Sequence, residues 1–152
     1  MSTLTATRGA QWPLMAEFTF NFDDQMVPVS GGTAISGTTE VDFGKTNIAA
    51  TVFNLINLPY GAVVVGGEWV TETAFDTAGY TITIGDSTTA DRYLASADKK
   101  AAARTALTLT GYVSDGAAIR LGVTNTDVCT TGKATLRVLY TIRGRLNEAQ
   151  TN

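Results

Sequence analysis

The chain has 152 residues, of which 44% are hydrophobic and only 16% charged, and its net charge is −3. This acidic balance argues against nucleic acid as the main partner, because phosphate binding requires a basic face. The chain has no histidine, which excludes Ser-His-Asp and Cys-His catalysis and His-ligated zinc or iron. Typical soluble domains are about 25% charged, so a chain this poor in charge is expected to form oligomers or larger assemblies.

Cysteine content and hydropathy place the chain in a reducing, aqueous compartment. Cys129 is the only cysteine, so no intrachain disulfide can form, and we expect a small, semi-buried apolar residue there. The first residues lack the basic start and apolar core of a signal peptide. The uncharged apolar runs are much shorter than the roughly 20 residues of a membrane-spanning helix. We therefore expect a soluble protein without a membrane partner.

Residues 1–16 are predicted to form an extended N-terminal arm that becomes ordered only against a neighbour. They include one charged residue and the scattered apolar side chains of Leu4, Trp12, Leu14 and Met15. A frayed terminus is the alternative, but a lone tryptophan on an irregular segment is typical of an anchor for a partner's pocket. Residues 17–152 are then a single domain.

Alternating apolar residues predict short strands through the first half of this domain. Residues 17–22 place Phe18, Phe20 and Phe22 on one face, and Val41 and Phe43 are expected to face the core from a short strand. The next strand, which ends at the turn Pro59-Tyr60-Gly61, is expected to bury Val52 or Phe53 together with Leu55 and Leu58.

The run from 62 to 75 combines a β-branched stretch, a glycine pair and a second alternating stretch. Residues 62–65 are predicted to form a strand buried on both faces. Gly66-Gly67 indicates a bulge or bend where the strand changes its partner or its sheet. Beyond it, Trp69 shares a strand face with Thr71 and Thr73.

The second half contains three clear strands and one ambiguous segment. The inward rows are predicted to be Tyr80, Ile82 and Ile84; then Ile119, Leu121 and Val123; and finally Leu136, Val138, Tyr140 and Ile142. One or two helical turns are predicted at 96–103, since Ser96 or Asp98 suits a helix N-cap. Leu107 and Leu109 indicate a return to strand, and Asp115-Gly116 predicts a hairpin turn.

Eight or nine short strands, 15 glycines, frequent turns and at most one short helix predict an all-β fold. The favoured architecture is an antiparallel β-sandwich of the jelly-roll type, and an immunoglobulin-like sandwich is the alternative. No internal repeat is visible, which argues against propellers and β-helices.

No motif predicts catalysis or a cofactor. Glu68 and Glu72 are separated by roughly 13 Å on a strand, whereas paired glycosidase carboxylates require about 5–9.5 Å. The glycine pairs lack the spacing of a phosphate loop. The loop with Asp86 and Asp91 favours a plain turn over a weak calcium site. Trp69, Tyr80 and Tyr112 are candidates for a sugar-binding strand face.

The charges are distributed unevenly along the chain. After residue 128 the basic residues are Lys133, Arg137, Arg143 and Arg145, against the single acid Glu148, while the rest of the chain is acidic. If the last strand lies at one edge, this edge is basic and suits docking against an acidic protein surface. An ordinary mixed surface is the alternative.

The runs "NLINLPYGAVVVGGEWVTETAFDT" and "GKATLRVLYTIRGRLNE", with most of the sequence between them, resemble small structural proteins of tailed bacteriophages. The resemblance covers roughly residues 50–148 and implies a head decoration, or cement, protein built as a homotrimer of jelly rolls. Such a protein is made in the host bacterial cytoplasm and binds the virion exterior. Its partners would be the major capsid protein and its own copies, with no small-molecule substrate.

For such a role we expect the partner contact at Trp12, Leu14 and Met15 of the arm and at Arg137, Arg143 and Arg145 of the basic edge. Two other classes remain open at this stage. One is a fibre-type or sugar-binding β-sandwich module with aromatic residues in a surface groove. The other is a hydrolase that uses carboxylates alone, which would need two acids to converge in one cleft.

Overall fold

The computed structural model describes residues 12–30, 40–45 and 51–144, and this part of the chain is built of β-strands and loops without a helix. The strands are β1 (Leu14–Asn21), β2 (Gln25–Met26), β3 (Val41–Asp42), β4 (Thr51–Asn57), β5 (Tyr60–Thr73), β6 (Tyr80–Gly85), β7 (Leu94–Asp98), β8 (Ala103–Ala106), β9 (Val113–Asp115), β10 (Ala118–Asn125) and β11 (Lys133–Ile142).

The strands form two antiparallel sheets and a short β2–β3 ribbon. The first sheet has the order β1-β11-β5-β8, with β9 also pairing with β5, and the second has the order β4-β10-β6-β7. When β2, β3 and the short β9 are left aside, eight strands remain. In chain order, the first of them pairs with the last (β1 with β11), the second with the seventh (β4 with β10), the third with the sixth (β5 with β8) and the fourth with the fifth (β6 with β7). This nesting is a rolled-up antiparallel ribbon, which confirms the jelly roll rather than the immunoglobulin-like alternative.

The core lies between the inner faces of the two sheets, and most of the predicted inward rows form it. Tyr80, Ile82 and Ile84 of β6 are fully buried, as are the three predicted residues of β10 and Leu136 and Val138 of β11. Aromatic rings fill one end, where Phe20 stacks on Phe43 at 4.1 Å between ring centroids. Alternation with period two therefore identified the buried face of these strands correctly.

Strand β5 confirms the predicted change of partner at the glycine pair. Its first residues pair with β9 and its residues 68–71 pair with β8. Gly67 has φ 146°, and a Cβ there would lie 2.5 Å from the carbonyl oxygen of Arg137, so only glycine fits. The prediction that residues 62–65 are buried on both faces is wrong, because Ala62 and Val64 face the core while Val65 is exposed.

The predicted helix at 96–103 is also wrong. These residues belong to β7, a turn and the start of β8. The carboxylate of Asp98 accepts hydrogen bonds from the backbone N–H groups of Tyr80 and Lys100, and the Lys99 N–H donates to the Tyr80 carbonyl. Pairing with β6 thus satisfies the backbone groups that a helix would have used internally.

Three further expectations about local structure need correction. Strand β1 begins at Leu14 rather than at Glu17, so the last residues of the predicted arm are part of the first sheet. Leu107 and Leu109 lie in a loop between β8 and β9. Asp115-Gly116 does not form a hairpin turn, because β9 belongs to the first sheet and β10 to the second; the turn carries the chain between sheets.

The burial of β11 gives a first testable prediction. Val138 is fully buried and lies opposite Ala16 and Gly67, so Val138→Asp places an unpaired charge in the core. We expect it to lower the free energy of unfolding by several kcal/mol, a large part of a typical domain's stability. Thr141→Asp, half-exposed on the outer face of the same strand, is the control and should change stability by less than about 1 kcal/mol. Equal effects in chemical denaturation would show that the register of β11 is wrong.

Candidate interaction surface

The outer face of the first sheet carries a row of ion pairs across four neighbouring strands. Arg137 of β11 donates to Glu17 of β1 at 2.6 Å and to Glu68 of β5 at 3.0 Å. Arg104 of β8 donates to the other oxygen of Glu68, with its Nε at 2.9 Å. Glu17, Arg137 and Glu68 lie directly opposite one another in the register, and Arg104, opposite Val70, is the diagonal neighbour of Glu68.

A second cross-strand network lies at Thr135, two residues before Arg137 on β11. The Thr19 and Thr135 hydroxyls are 2.8 Å apart, and the Thr135 hydroxyl donates to Glu72 at 2.7 Å. Lys133 binds the other oxygen of the Glu72 carboxylate at 2.7 Å. Hydrogen bonds from Lys133 and Thr135 lower the pKa of Glu72, and hydrogen bonds from Arg104 and Arg137 lower that of Glu68. Each of the two carboxylates is therefore held as an anion by its own basic partners.

This arrangement corrects the predicted basic edge. Arg137 and Lys133 are neutralised by acids of the neighbouring strands instead of presenting free positive charge. Arg143 is exposed just beyond β11, and Arg145 lies outside the described residues. Positions distant along the chain supply the compensating acids Glu17, Glu68 and Glu72, so the uneven distribution of charge along the sequence does not make this part of the surface basic.

Beyond the ion pairs, the same outer face becomes apolar. Met15 of β1 lies opposite Leu139 of β11, which lies opposite Gly66 of β5, and Val65 is exposed beside them. Trp12, just before β1, is 89% exposed, and Met15 is 64% exposed. We call Met15, Val65 and Leu139, together with the exposed Trp12 that precedes β1, the apolar end of the first sheet. Leu14 lies opposite Tyr140 on the other face of β1 and is 43% exposed.

The structure therefore brings Met15 of the predicted arm and Arg137 of the predicted basic edge onto one face. Met15 is two residues from Glu17, which binds Arg137, and Trp12 continues from the same end of β1. Val65 and Leu139 were not among the candidates. The sequence signal for Val65 is the glycine pair that follows it, because the register shifts there and Val65 is turned outward.

The turn at 86–92 is held by the Asp86 carboxylate. It accepts hydrogen bonds from the backbone N–H groups of Thr88 and Thr89 at 2.9 and 2.8 Å and forms an ion pair with Arg92. Burial raises the pKa of Asp86, but hydrogen bonds from Arg92, Thr88 and Thr89 outweigh this effect and lower it to about 2. This carboxylate thus stabilises a turn, and within the described residues no three acidic or cysteine side chains converge on a metal position.

The aromatic residues proposed for sugar binding do not form a surface groove. Trp69 and Tyr80 are fully buried; the indole N–H donates to the Thr71 hydroxyl and the phenol donates to the Phe43 carbonyl. Tyr112 is half-buried and stacks against the guanidinium of Arg92, 3.6 Å from the ring centroid. No two of these three rings share an exposed face.

Cys129 is buried, more completely than the semi-buried position expected from the sequence. Burial raises the pKa of its thiol to about 11. The neutral thiol is accordingly a poor nucleophile at neutral pH, and the residue contributes to packing.

Within the described residues, there is no helix long and apolar enough to cross a membrane.

The fold is similar to those of two solved bacteriophage structures. One is a chain of the cyanophage Pam1 capsid asymmetric unit, with a TM-score of 0.56, 17% identity, and coverage of 93% of this chain and 94% of the other. The second is a chain of the acidic stable capsid structure of Helicobacter pylori bacteriophage KHP30, with a TM-score of 0.55, 22% identity, and coverage of 86% and 87%. No family model matches the chain. No curated protein sequence matches it either.

The lowered pKa of Asp86 predicts a pH-dependent contribution to stability. An unfolded aspartate titrates near pH 3.9 and the folded one near pH 2, so the stabilisation is complete above about pH 4 and disappears as the pH falls to 2. Asp86→Asn should lower the free energy of unfolding by roughly 2 kcal/mol at pH 7, with the difference closing near pH 2.

The matched control is Asp91→Asn, an exposed aspartate in the same turn, which should leave thermal melting nearly unchanged at both pH values. A deficit of Asp86→Asn that is the same at pH 7 and pH 2 would contradict the assigned role of the carboxylate.

Proposed function

We propose that the protein is a bacteriophage capsid decoration, or cement, protein that binds the outer surface of the head and stabilises the shell. The observation that carries the proposal is the similarity to chains of two phage capsid structures over nearly the whole length of each chain. Because the coverage is high in both directions, these neighbouring chains are similar in length to this one. The proposal therefore assigns the entire jelly roll to the virion.

The surface chemistry supports a binding role. On the first sheet, carboxylates and basic groups neutralise each other across the strands, while the apolar end leaves Trp12 and Met15 exposed. Aromatic and methionine side chains surrounded by polar groups are typical of protein–protein contacts. Glu68 and Glu72 are each bound to basic groups and do not converge as a catalytic pair. We therefore propose a structural rather than an enzymatic role.

The exterior position is favoured by charge. The net charge is −3, and packaged nucleic acid is a dense polyanion that favours basic partners. An acidic protein is better suited to the outside of the shell than to its inner surface. The proposed partners are the major capsid protein and further copies of this chain, as a homotrimer.

The proposed function is tested with heads purified without this protein. Purified protein is added over a range of concentrations, occupancy is measured by sedimentation, and the resistance of the heads to heat is recorded. We expect saturable binding and a higher temperature of shell disruption. Heads that neither bind the protein nor gain heat resistance would contradict the proposal.

The apolar end predicts which substitution should abolish this binding. Trp12→Ala should weaken shell binding by at least about 30-fold, corresponding to roughly 2 kcal/mol for an anchoring tryptophan. Val128→Ser is the control, because Val128 is 49% exposed in the loop before β11, at the opposite end of the first sheet. If both variants bind shells as tightly as the parent protein, the contact lies elsewhere, and the exposed Arg143 is the next residue to reverse in charge.

The proposed homotrimer is tested by light scattering of the protein alone at micromolar concentration. We expect a mass about three times the 16.0 kDa of the chain. A monomeric mass at these concentrations would contradict the trimer while leaving shell binding to be judged by the experiment above.

A further inference from the structure

Strand β1 has one free edge. It lies at the end of the first sheet, and no other strand among the described residues pairs with its second side. The Phe22 N–H donates to Gly132, so even-numbered residues direct their backbone groups toward β11. Met15, Glu17 and Thr19 consequently direct theirs to the free edge. An eight-residue strand with an open edge is a template for a further strand.

An apolar cleft of about 360 Å³ lies beside this edge. Its apolar lining is formed by Phe18, Phe20, Met26 and Phe43, with Thr19, Asp24 and Gln25 at its sides. The rings of Phe18 and Phe43 are 6.3 Å apart, and Phe18 is only half-buried. A strand added to β1 would project every second side chain onto the face of Phe18, into this cleft.

The first residues of the chain have the pattern that such a strand requires. In residues 3–7, "TLTAT", the apolar Leu4 and Ala6 alternate with three threonines, a period of two with β-branched residues. If Thr5 lies opposite Glu17 in an antiparallel pair, Leu4 lies beside Phe18 and Ala6 beside Ala16. A slip by one residue would put threonines in the cleft and Leu4 beside a carboxylate, so the pattern selects one register.

The direction of the chain at Trp12 favours a second copy as the donor of this strand. Pro13 favours an extended conformation at Trp12, which continues the direction of β1 at that residue. Trp12 is 89% exposed and no part of its own described fold covers it. Eleven extended residues span at most about 36–40 Å, which is sufficient to reach the edge of an adjacent molecule.

We propose that residues 3–7 of one copy add as a strand to the free edge of β1 of a second copy, with Leu4 in the cleft between Phe18 and Phe43. Each copy then has one donor segment and one acceptor edge. Such head-to-tail contacts close into a ring when the rotation between copies permits. The contact forms between copies of this chain in solution and does not depend on capsid binding.

Cross-linking tests the register and the donor together. The native Cys129 is buried with a thiol pKa of about 11, so it does not compete with introduced cysteines. Ala6→Cys and Ala16→Cys, made in separate full-length chains and mixed under mild oxidation, should form a covalent heterodimer on a non-reducing gel. Thr5→Cys mixed with Ala16→Cys is the control, because these side chains point to opposite faces.

Two outcomes of the cross-linking would overturn the proposal. One is a yield of the Ala6→Cys and Ala16→Cys heterodimer no higher than that of the control pair. The other concerns a variant that carries Ala6→Cys and Ala16→Cys in the same chain. If its disulfide forms quantitatively within one chain, even after mixing and dilution, the segment pairs with its own β1.

Solution mass supplies an independent measurement. Leu4→Asp places a charge in the apolar cleft and should raise the concentration at which the oligomer dissociates by at least about tenfold. Thr5→Asp adds the same charge one residue away on the outer face and should change it by less than about threefold. Equal dissociation of the two variants, or a parent protein that is monomeric throughout, would contradict strand exchange between copies.

Discussion

The structure depends on strand β11 pairing with β1 on one side and β5 on the other. These two ladders join the first strand of the fold to the last and connect both to the long strand that carries Trp69. The inner row of β11 closes the core at Leu136 and Val138, both fully buried. Its outer row places Arg137 between Glu17 and Glu68. One alternating sequence thus fixes the register, the core and the charge pattern of the exposed face.

The ion pairs on that face matter more for the charge of the surface than for stability. Exposed pairs of this kind contribute little individually, but they leave few uncompensated charges around the apolar end of the first sheet. A surface whose charges are internally paired repels neither an acidic nor a basic partner strongly. We propose that the affinity for a partner comes from Trp12, Met15 and the residues beside them, since Trp12 and Met15 are exposed in the isolated chain. This division suits a protein whose function is to bind other proteins in an assembly.

The sequence predicted those features that depend on local alternation, and failed where distant residues decide. The inward rows of β6, β10 and β11 and the partner change at Gly67 follow from patterns within one strand. The predicted helix gave way to β7 because Tyr80, in another strand, binds Asp98 and Lys99. The neutralisation of Arg137 likewise depends on acids far along the chain, Glu17 and Glu68, so composition alone could not reveal it.

We propose that this jelly roll is a bound component of the outer surface of a phage head. A cryo-electron microscopy reconstruction of the purified virion, at a resolution that separates β-strands, tests it most directly. The account predicts density for this two-sheet fold on the exterior of the shell, with the apolar end of the first sheet covered by a neighbouring protein. Absence of the chain from the particle, or density only inside the shell or in the tail, would contradict it.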